Sequence, residues 1–420
     1  MAIPLPQAPA HAPRALFAGD VLAGVPTDGP AGGPAASLYI HVPFCAHKCH
    51  YCDFYSIVDP RDRQSAFVGR LTRELRALAP WAARPLRTIF VGGGTPSLLA
   101  PALWQRLLDT LHDAFDLSAI TRGSGEFTVE CNPESVTPDL LRILASGGVN
   151  RVSLGAQSFD RAHLATLERR HNPENVARAL DLARATGIMR QSVDLIYALP
   201  GQTLDQWRAD LRAALALGTE HLSCYALTYE PGTAMTARML RGEFRRADED
   251  SEADMFEETV RTLRDAGLER YEVSNFARPG AECRHNLAYW RQDAWLAAGP
   301  SASAHVGGRR WKNLPRLDDY LDRSQHGFAP VTDVEWPDPR RALAERLMTA
   351  LRLREGADAH AILADAATID PALPARLEAC ARVLIARNLL TDAPRWAPTE
   401  SGFLVADALA VDFLRALDPP

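Results

Sequence analysis

Lysine is almost missing from this chain of 420 residues: Lys48 and Lys312 are the only two among 46 basic residues, so nearly all positive charge is arginine. We read this as a compositional bias and not as a binding signal. Basic excess is missing as well. With 52 acidic residues the formal net charge is −6, which argues against a general nucleic-acid binder, a class that usually carries a basic domain. No run of about 18 apolar residues occurs, so no membrane span is expected. A secretory signal is lacking too. Residues 1–36 are rich in Ala, Pro and Gly and carry only Arg14, Asp20 and Asp28 as charges, without a basic start or a continuous apolar stretch. This segment is expected to lack fixed structure. Cysteine pairing is the last absence. The count of seven is odd, and three sit together at Cys45, Cys49 and Cys52. In a large chain that pattern points to metal or redox chemistry in the cytosol, not to a disulfide framework.

What is present is an ordinary globular composition, 47% hydrophobic and 23% charged, on a chain long enough to bury a core without staples. Six short apolar runs recur at residues 37–42, 87–91, 126–131, 151–156, 192–197 and 220–225. Longer stretches of helical period lie between them, as where Phe67, Leu71, Leu75 and Leu78 step by three or four. Such alternation predicts an α/β fold with a parallel sheet, and the spacing of the units fits a partial (β/α)6 barrel. A helix over 248–267 and a strand over 269–274 are expected next, then a loop-rich segment from 275 to about 311. Beyond Pro339 helical patterns dominate, at 340–353, 357–364, 371–388 and 401–414, with a small hairpin over 389–398. Pro330, Pro337 and Pro339 mark a boundary between a barrel domain (37–330) and a mostly helical C-terminal domain (338–420).

The cysteines stand four and three residues apart in Cys45-Ala-His-Lys-Cys49-His-Tyr-Cys52, directly after the first strand run. Thiolates suit iron–sulfur clusters and zinc. Three thiolates would leave one corner of a four-iron cluster open to an exogenous ligand. A zinc site completed by His41, His47 or His50 is the competing reading, although structural zinc more often uses paired Cys-x2-Cys spacings. After the second run come Gly92, Gly93 and Gly94, which let backbone approach a ligand closely but lack the dinucleotide-binding spacing. Glu130, Gln157 and Asp194 fall at or near the ends of later strand runs, and polar groups there converge on one face of a barrel. Arg169, one helix further on, could grip a carboxylate with two hydrogen bonds.

The cysteine spacing, with Tyr51 before the last cysteine, resembles the signature of the radical S-adenosylmethionine (SAM) superfamily. Leu38-Tyr-Ile-His-Val-Pro-Phe, Gly92-Gly-Gly-Thr-Pro, Gly155-Ala-Gln-Ser-Phe and Asp194-Leu-Ile-Tyr-Ala-Leu-Pro-Gly are similar to its coproporphyrinogen oxidase branch. Within that branch, Phe54 stands where the oxygen-independent oxidases (HemN) carry a fourth cysteine. His285-Asn-Leu-Ala-Tyr289-Trp290 resembles a motif of the HemW heme chaperones, as does Thr228-x-Glu230-Pro-Gly-Thr233. The resemblance implies a [4Fe-4S] cluster held by Cys45, Cys49 and Cys52, and SAM contacted by Tyr39, Tyr51, Gly94 and Thr95. It implies a shared cavity lined by Glu130, Gln157, Arg169 and Asp194, and heme bound in residues 275–311 near His285. From chemistry alone His285 could instead be a satisfied core histidine, and Cys283 is a second candidate axial donor. The implied function is delivery of heme to apo-proteins such as those of the respiratory chain. The alternative is oxidative decarboxylation of coproporphyrinogen III. A homodimer and peripheral contact with membrane proteins are left open.

Overall fold

The computed structural model describes residues 15–27 and 33–418. Residues 1–14 and 28–32 of the segment expected to lack structure lie outside these. The remainder corrects that expectation. Ala18–Leu22 form a helical turn that buries Ala18, Val21 and Leu22. The Ala18 N–H donates to Ala329 O at 3.0 Å, Val331 N–H to Leu16 O at 2.9 Å, and Arg309 Nη1 to Val21 O at 2.9 Å. Mean composition hid three apolar residues that share one face of that turn.

Six parallel strands follow one another in sheet order: β1 (Ser37–Val42), β2 (Thr88–Gly93), β3 (Glu126–Cys131), β4 (Arg151–Gln157), β5 (Arg190–Tyr197) and β6 (His221–Ala226). Helices return the chain between them, among them Gln64–Leu78, Pro101–Ala114, Pro138–Ser146, Glu174–Ala185 and Leu204–Ala216. The helix Glu249–Asp265 leads to β7 (Glu269–Arg270) and β8 (Asn275–Ala277); β8 runs antiparallel to β6, and β7 antiparallel to β8 at the sheet edge. The strand expected over 269–274 is thus only two residues long. The segment expected to be loop-rich holds β8, the helix Arg284–Trp290, β9 (Trp295–Ala298), β10 (Ser303–Val306) and the start of β11 (Arg309–Asn313). Runs of three to five residues are too short to show a period. β9 joins β1 in parallel, so the parallel wall has a seventh strand, and β10, β11 and β12 (Val331–Glu335) extend it antiparallel. The strand order has two ends, which makes the barrel partial.

Side chains alternate across each strand. One set, including Leu38, Ile40, Ile89, Val91, Phe127, Val129, Val152, Leu154, Val193 and Leu195, is buried in the main hydrophobic core beneath the helices. The other set faces the lumen and is largely polar: Ser37, Tyr39 and His41; Thr88, Phe90 and Gly92; Glu126, Thr128 and Glu130; Arg151, Ser153 and Gly155; Ser192 and Asp194. Hydrogen bonds tie this set across the strands. Thr88 Oγ1 donates to Ser37 Oγ at 2.8 Å, Ser153 Oγ to Asp194 at 3.1 Å, and Ser192 Oγ shares a 2.8 Å bond with His221 Nδ1.

A second core, from Leu343 to Leu417, unites Pro339–Ala350, Ala359–Ile369, Leu373–Ala386 and Ala406–Leu417. The expected hairpin over 389–398 closes on itself, with Leu390 bridged antiparallel to Pro398 and Thr391 N–H donating to Ala397 O at 2.8 Å, and its second arm, Arg395–Trp396, also lies antiparallel to Ala357–Asp358. The helix expected over 401–414 is broken into Glu400–Phe403 and Ala406–Leu417, leaving Leu404 and Val405 exposed at the corner.

Candidate functional site

The cysteine loop leaves β1 at the carboxyl end of the barrel, and three neighbours hold it. Ile57 N–H donates to Pro43 O at 2.8 Å, and Cys45 N–H returns to Ile57 O at 2.9 Å. Behind the loop, His50 O accepts from Met235 N–H at 2.8 Å. The glycine run is the third support. Gly94 N–H donates to Val42 O, and Thr95 N–H to Phe44 O, both at 2.7 Å. A Cβ on Gly94 would lie 2.7 Å from Phe44 O and 2.8 Å from Val42 O, so glycine there is required by close backbone approach. These amides seat the cysteine loop and are therefore engaged before any ligand arrives.

Cys45, Cys49 and Cys52 line a cavity of about 1370 Å³ together with Tyr51, Gly94, Thr95, Glu130, Gln157, Arg169 and Asp194. The structure thus gathers ten of the twelve residues singled out from sequence. Hydrogen-bond donors face the sulfurs: the Arg169 guanidinium Nη1 lies 3.8 Å from Cys49 Sγ, and the Thr95 hydroxyl lies 3.5 Å from Cys45 Sγ. Arg169 Nη2 donates to Gly155 O at 2.9 Å, while its Nε is buried without a partner among the described residues. Arg169 remains cationic despite burial, because Tyr51 and the cysteines oppose its loss of a proton. Gln157 is directed by a bulge between β4 and β5 and by its left-handed backbone, φ +66°. Burial and the nearby Asp194 push the Glu130 carboxyl up to about 7, although Gly93 N–H donates to its Oε2 at 3.1 Å. Asp194 is also raised by burial, against Ser223, Arg151, Ser153 and Ser192.

Does this donor set fit a cluster? Among the described residues no three His, Cys, Asp or Glu side chains converge so as to hold a single ion. A zinc site needs four donors within about 2.0–2.3 Å of one point. A cube of irons takes each thiolate at a different corner, and three cysteines on one loop beside a buried guanidinium suit it.

Two residues singled out from sequence are not on the cavity wall. Tyr39 lies deeper, its hydroxyl sharing a 3.0 Å hydrogen bond with His41 Nδ1. His41 Nε2 binds Tyr55 O at 2.8 Å, so this pair links β1 to the end of the cysteine loop. His285 lies farther from the cavity. It is fully buried at the opposite, amino end of the barrel. Its Nδ1 bonds Thr88 Oγ1 at 2.8 Å, its Nε2 bonds the Tyr289 hydroxyl at 2.9 Å, and its ring stacks on Phe90 at 5.3 Å. Neither nitrogen is available to an iron. Cys283 is buried as well, with its thiol 3.4 Å from Glu126 Oε1. Glu126 also accepts from the N–H groups of Arg284 and His285 and from Arg190. Burial alone would raise this carboxyl, but Arg151 and Arg190 hold it below its ordinary range. The helix Arg284–Trp290 is therefore a floor that plugs the lumen.

The cavity wall also contains residues that no motif announced. Tyr225 is the penultimate residue of β6, and the strand alternation could have found it. Arg246, Phe256, Phe403, Leu404 and Val405 come from distant segments, and only folding places them there.

The model of the radical SAM superfamily matches residues 39–214. The heme chaperone HemW of Mycobacterium tuberculosis is 38% identical over 337 residues, 79% of this chain and 85% of that protein. The heme chaperone HemW of Escherichia coli is 35% identical over 392 residues, 91% of this chain and 98% of its own length. Among solved structures, coproporphyrinogen III oxidase (HemN) from Escherichia coli superposes with a TM-score of 0.77, covering 91% of this chain and 90% of that one. At 23% identity it shares the fold. The distributed identity, the cysteine loop and the barrel together place this chain in the HemW heme chaperone family of the radical SAM superfamily.

Proposed function

We propose that this protein binds heme and passes it to apo-proteins, using a [4Fe-4S] cluster and SAM in the barrel cavity. The carrying observation is identity along nearly the whole length of a heme chaperone, joined to a cavity in which three cysteines face a buried arginine. Cys45, Cys49 and Cys52 would hold the cluster, which when bound offers an open iron to SAM and can supply it with an electron. Arg169, with its orphaned Nε, would bind a carboxylate of the ligand. Glu130, Gln157 and Asp194 offer polar groups to the rest of SAM, and Glu130 can hold or release a proton near neutrality. Tyr51 and Thr95 pack beside the thiolates. Tyr39 would act one step back, by fixing His41 under the loop. No helix among the described residues is long and apolar enough to cross a membrane, and we place the protein in the cytosol with soluble or peripheral access to its heme receivers.

The test is one anaerobically reconstituted sample, assayed for iron, sulfide and heme, then offered apo-hemoprotein or coproporphyrinogen III with SAM. Heme transfer without porphyrinogen turnover is expected. Repeated turnover of coproporphyrinogen III, or absence of a Soret band on heme addition, overturns the proposal.

A further inference from the structure

The cavity is larger than the roughly 300–1,000 Å³ usual for a single small ligand, at about 1370 Å³. Its inner part carries the cysteines, the glycine run and the acidic strand ends. Its outer part has a different texture. Tyr225 and Phe256 meet Phe403, Leu404 and Val405 from the broken corner of the C-terminal helices. Leu404 and Val405 keep 41% and 40% of their surface exposed, and Tyr225 keeps 40%. The corner is held firmly. Arg270, almost fully buried, places its guanidinium 3.8 Å from the Phe403 ring centre and 5.3 Å from that of Phe256, and donates to Glu400 at 2.7 Å. An apolar shelf is therefore held in place on this part of the cavity wall.

Charge completes the picture. Arg246 lines the cavity, and Arg245 lies beside it in the adjoining surface groove. Both are exposed, and neither forms an ion pair among the described residues. The other charges at this end are accounted for differently. Arg352 is paired with Asp407 at 2.5 Å, and Glu249 and Glu252 on the first turn of their helix would repel an anion from that side. A planar apolar dianion with its carboxylates on one edge would thus lay its face on the shelf and turn that edge to Arg245 and Arg246.

We infer that heme docks here, in the outer compartment between the barrel mouth and the Phe403–Ala406 corner, with its propionates on Arg245 and Arg246, and not at the His285 motif. This rests on the heme-chaperone reading above and gives that reading a site. The motif's own donors are closed off at the far end of the barrel, whereas the mouth has surface to cover and cations to pair.

The experiment compares heme and heme dimethyl ester, whose propionates are uncharged, binding to the full-length, cluster-reconstituted protein. Wild type is set against R245A/R246A and against L404E/V405E. All four positions are exposed, and unchanged iron and sulfide content reports an intact barrel. The arginine pair is expected to weaken heme binding about tenfold or more while leaving the dimethyl ester nearly unaffected, and the glutamate pair to weaken both. If wild type binds heme and both variants bind it equally well, this site is wrong while the chaperone reading stands. If wild type itself binds no heme, the chaperone reading has failed first.

Discussion

Cys49, Arg169 and His285 show how position decides what a side chain can do. Cys49 faces a guanidinium inside a cavity, and three thiolates leave no spare ligand for a cluster. Cys49→Ser is expected to abolish bound iron and sulfide after anaerobic reconstitution, read by chemical quantification. His285 has the chemistry of an axial ligand but the contacts of a core residue. His285→Ala removes two buried hydrogen bonds and opens a cavity against Phe90, which should cost about 2–4 kcal/mol of stability. Urea unfolding measures the loss. Heme affinity of the folded fraction should be unchanged, and a selective loss of the Soret band at full stability would return the ligand role to this histidine.

At the scale of elements, β2 does more than complete the wall. The two residues that follow it, Gly94 and Thr95, clasp the base of the cysteine loop through two short amide bonds. Gly94→Ala would drive a methyl group against Phe44 O and Val42 O. We expect the barrel to fold and the loop to shift, so that iron retention falls several-fold while far-ultraviolet circular dichroism stays as in wild type. Full iron content in that variant would show that the loop adapts without loss. The helix Arg284–Trp290 is a second case. The sequence shows a histidine and aromatic motif within a segment that reads as loop-rich, and neither the helix nor its place is legible there, because Glu126 on a strand 158 positions away captures its first N–H groups. The broken helix at Leu404 and Val405 is a third: continuous apolar period suggested one element, while the Val405 backbone (φ −126°, ψ 28°) turns the chain.

For the whole molecule, the polar lumen predicts a characteristic acid response. Burial lowers His41 and His285 to about 4. In the unfolded chain these side chains take up protons near pH 6.5, so the unfolded state binds more protons below that point. Their contribution is therefore present above pH 6.5 and drains away as pH falls towards 4. Glu126, held below its ordinary range, adds stability above about pH 4.3 that is lost on further acidification. Glu130 and Glu272, both raised to about 7 by burial, act in the opposite sense over the same interval, so the histidine contribution is read from the imidazoles themselves. The ring resonances of His41 and His285 should show neutral imidazole from pH 7 down to about pH 5, and titration near pH 6.5 would mean that the lumen histidines are not buried neutral.

Sequence alone determined the β/α rhythm, the six parallel strands, the cysteine loop and the residues at the strand ends. These follow from local period and from spacing within one loop, which the chain carries in its own order. The exceptions were elements too short for a period, β9 and the turn Ala18–Leu22 among them. Only the tertiary structure decided that the carboxyl end of the barrel holds the cavity while His285 plugs the other end, and that Phe403–Ala406 meets Arg246 across the mouth. Burial and distance between remote segments arise when the wall curves and the C-terminal helices dock, and no local pattern encodes them.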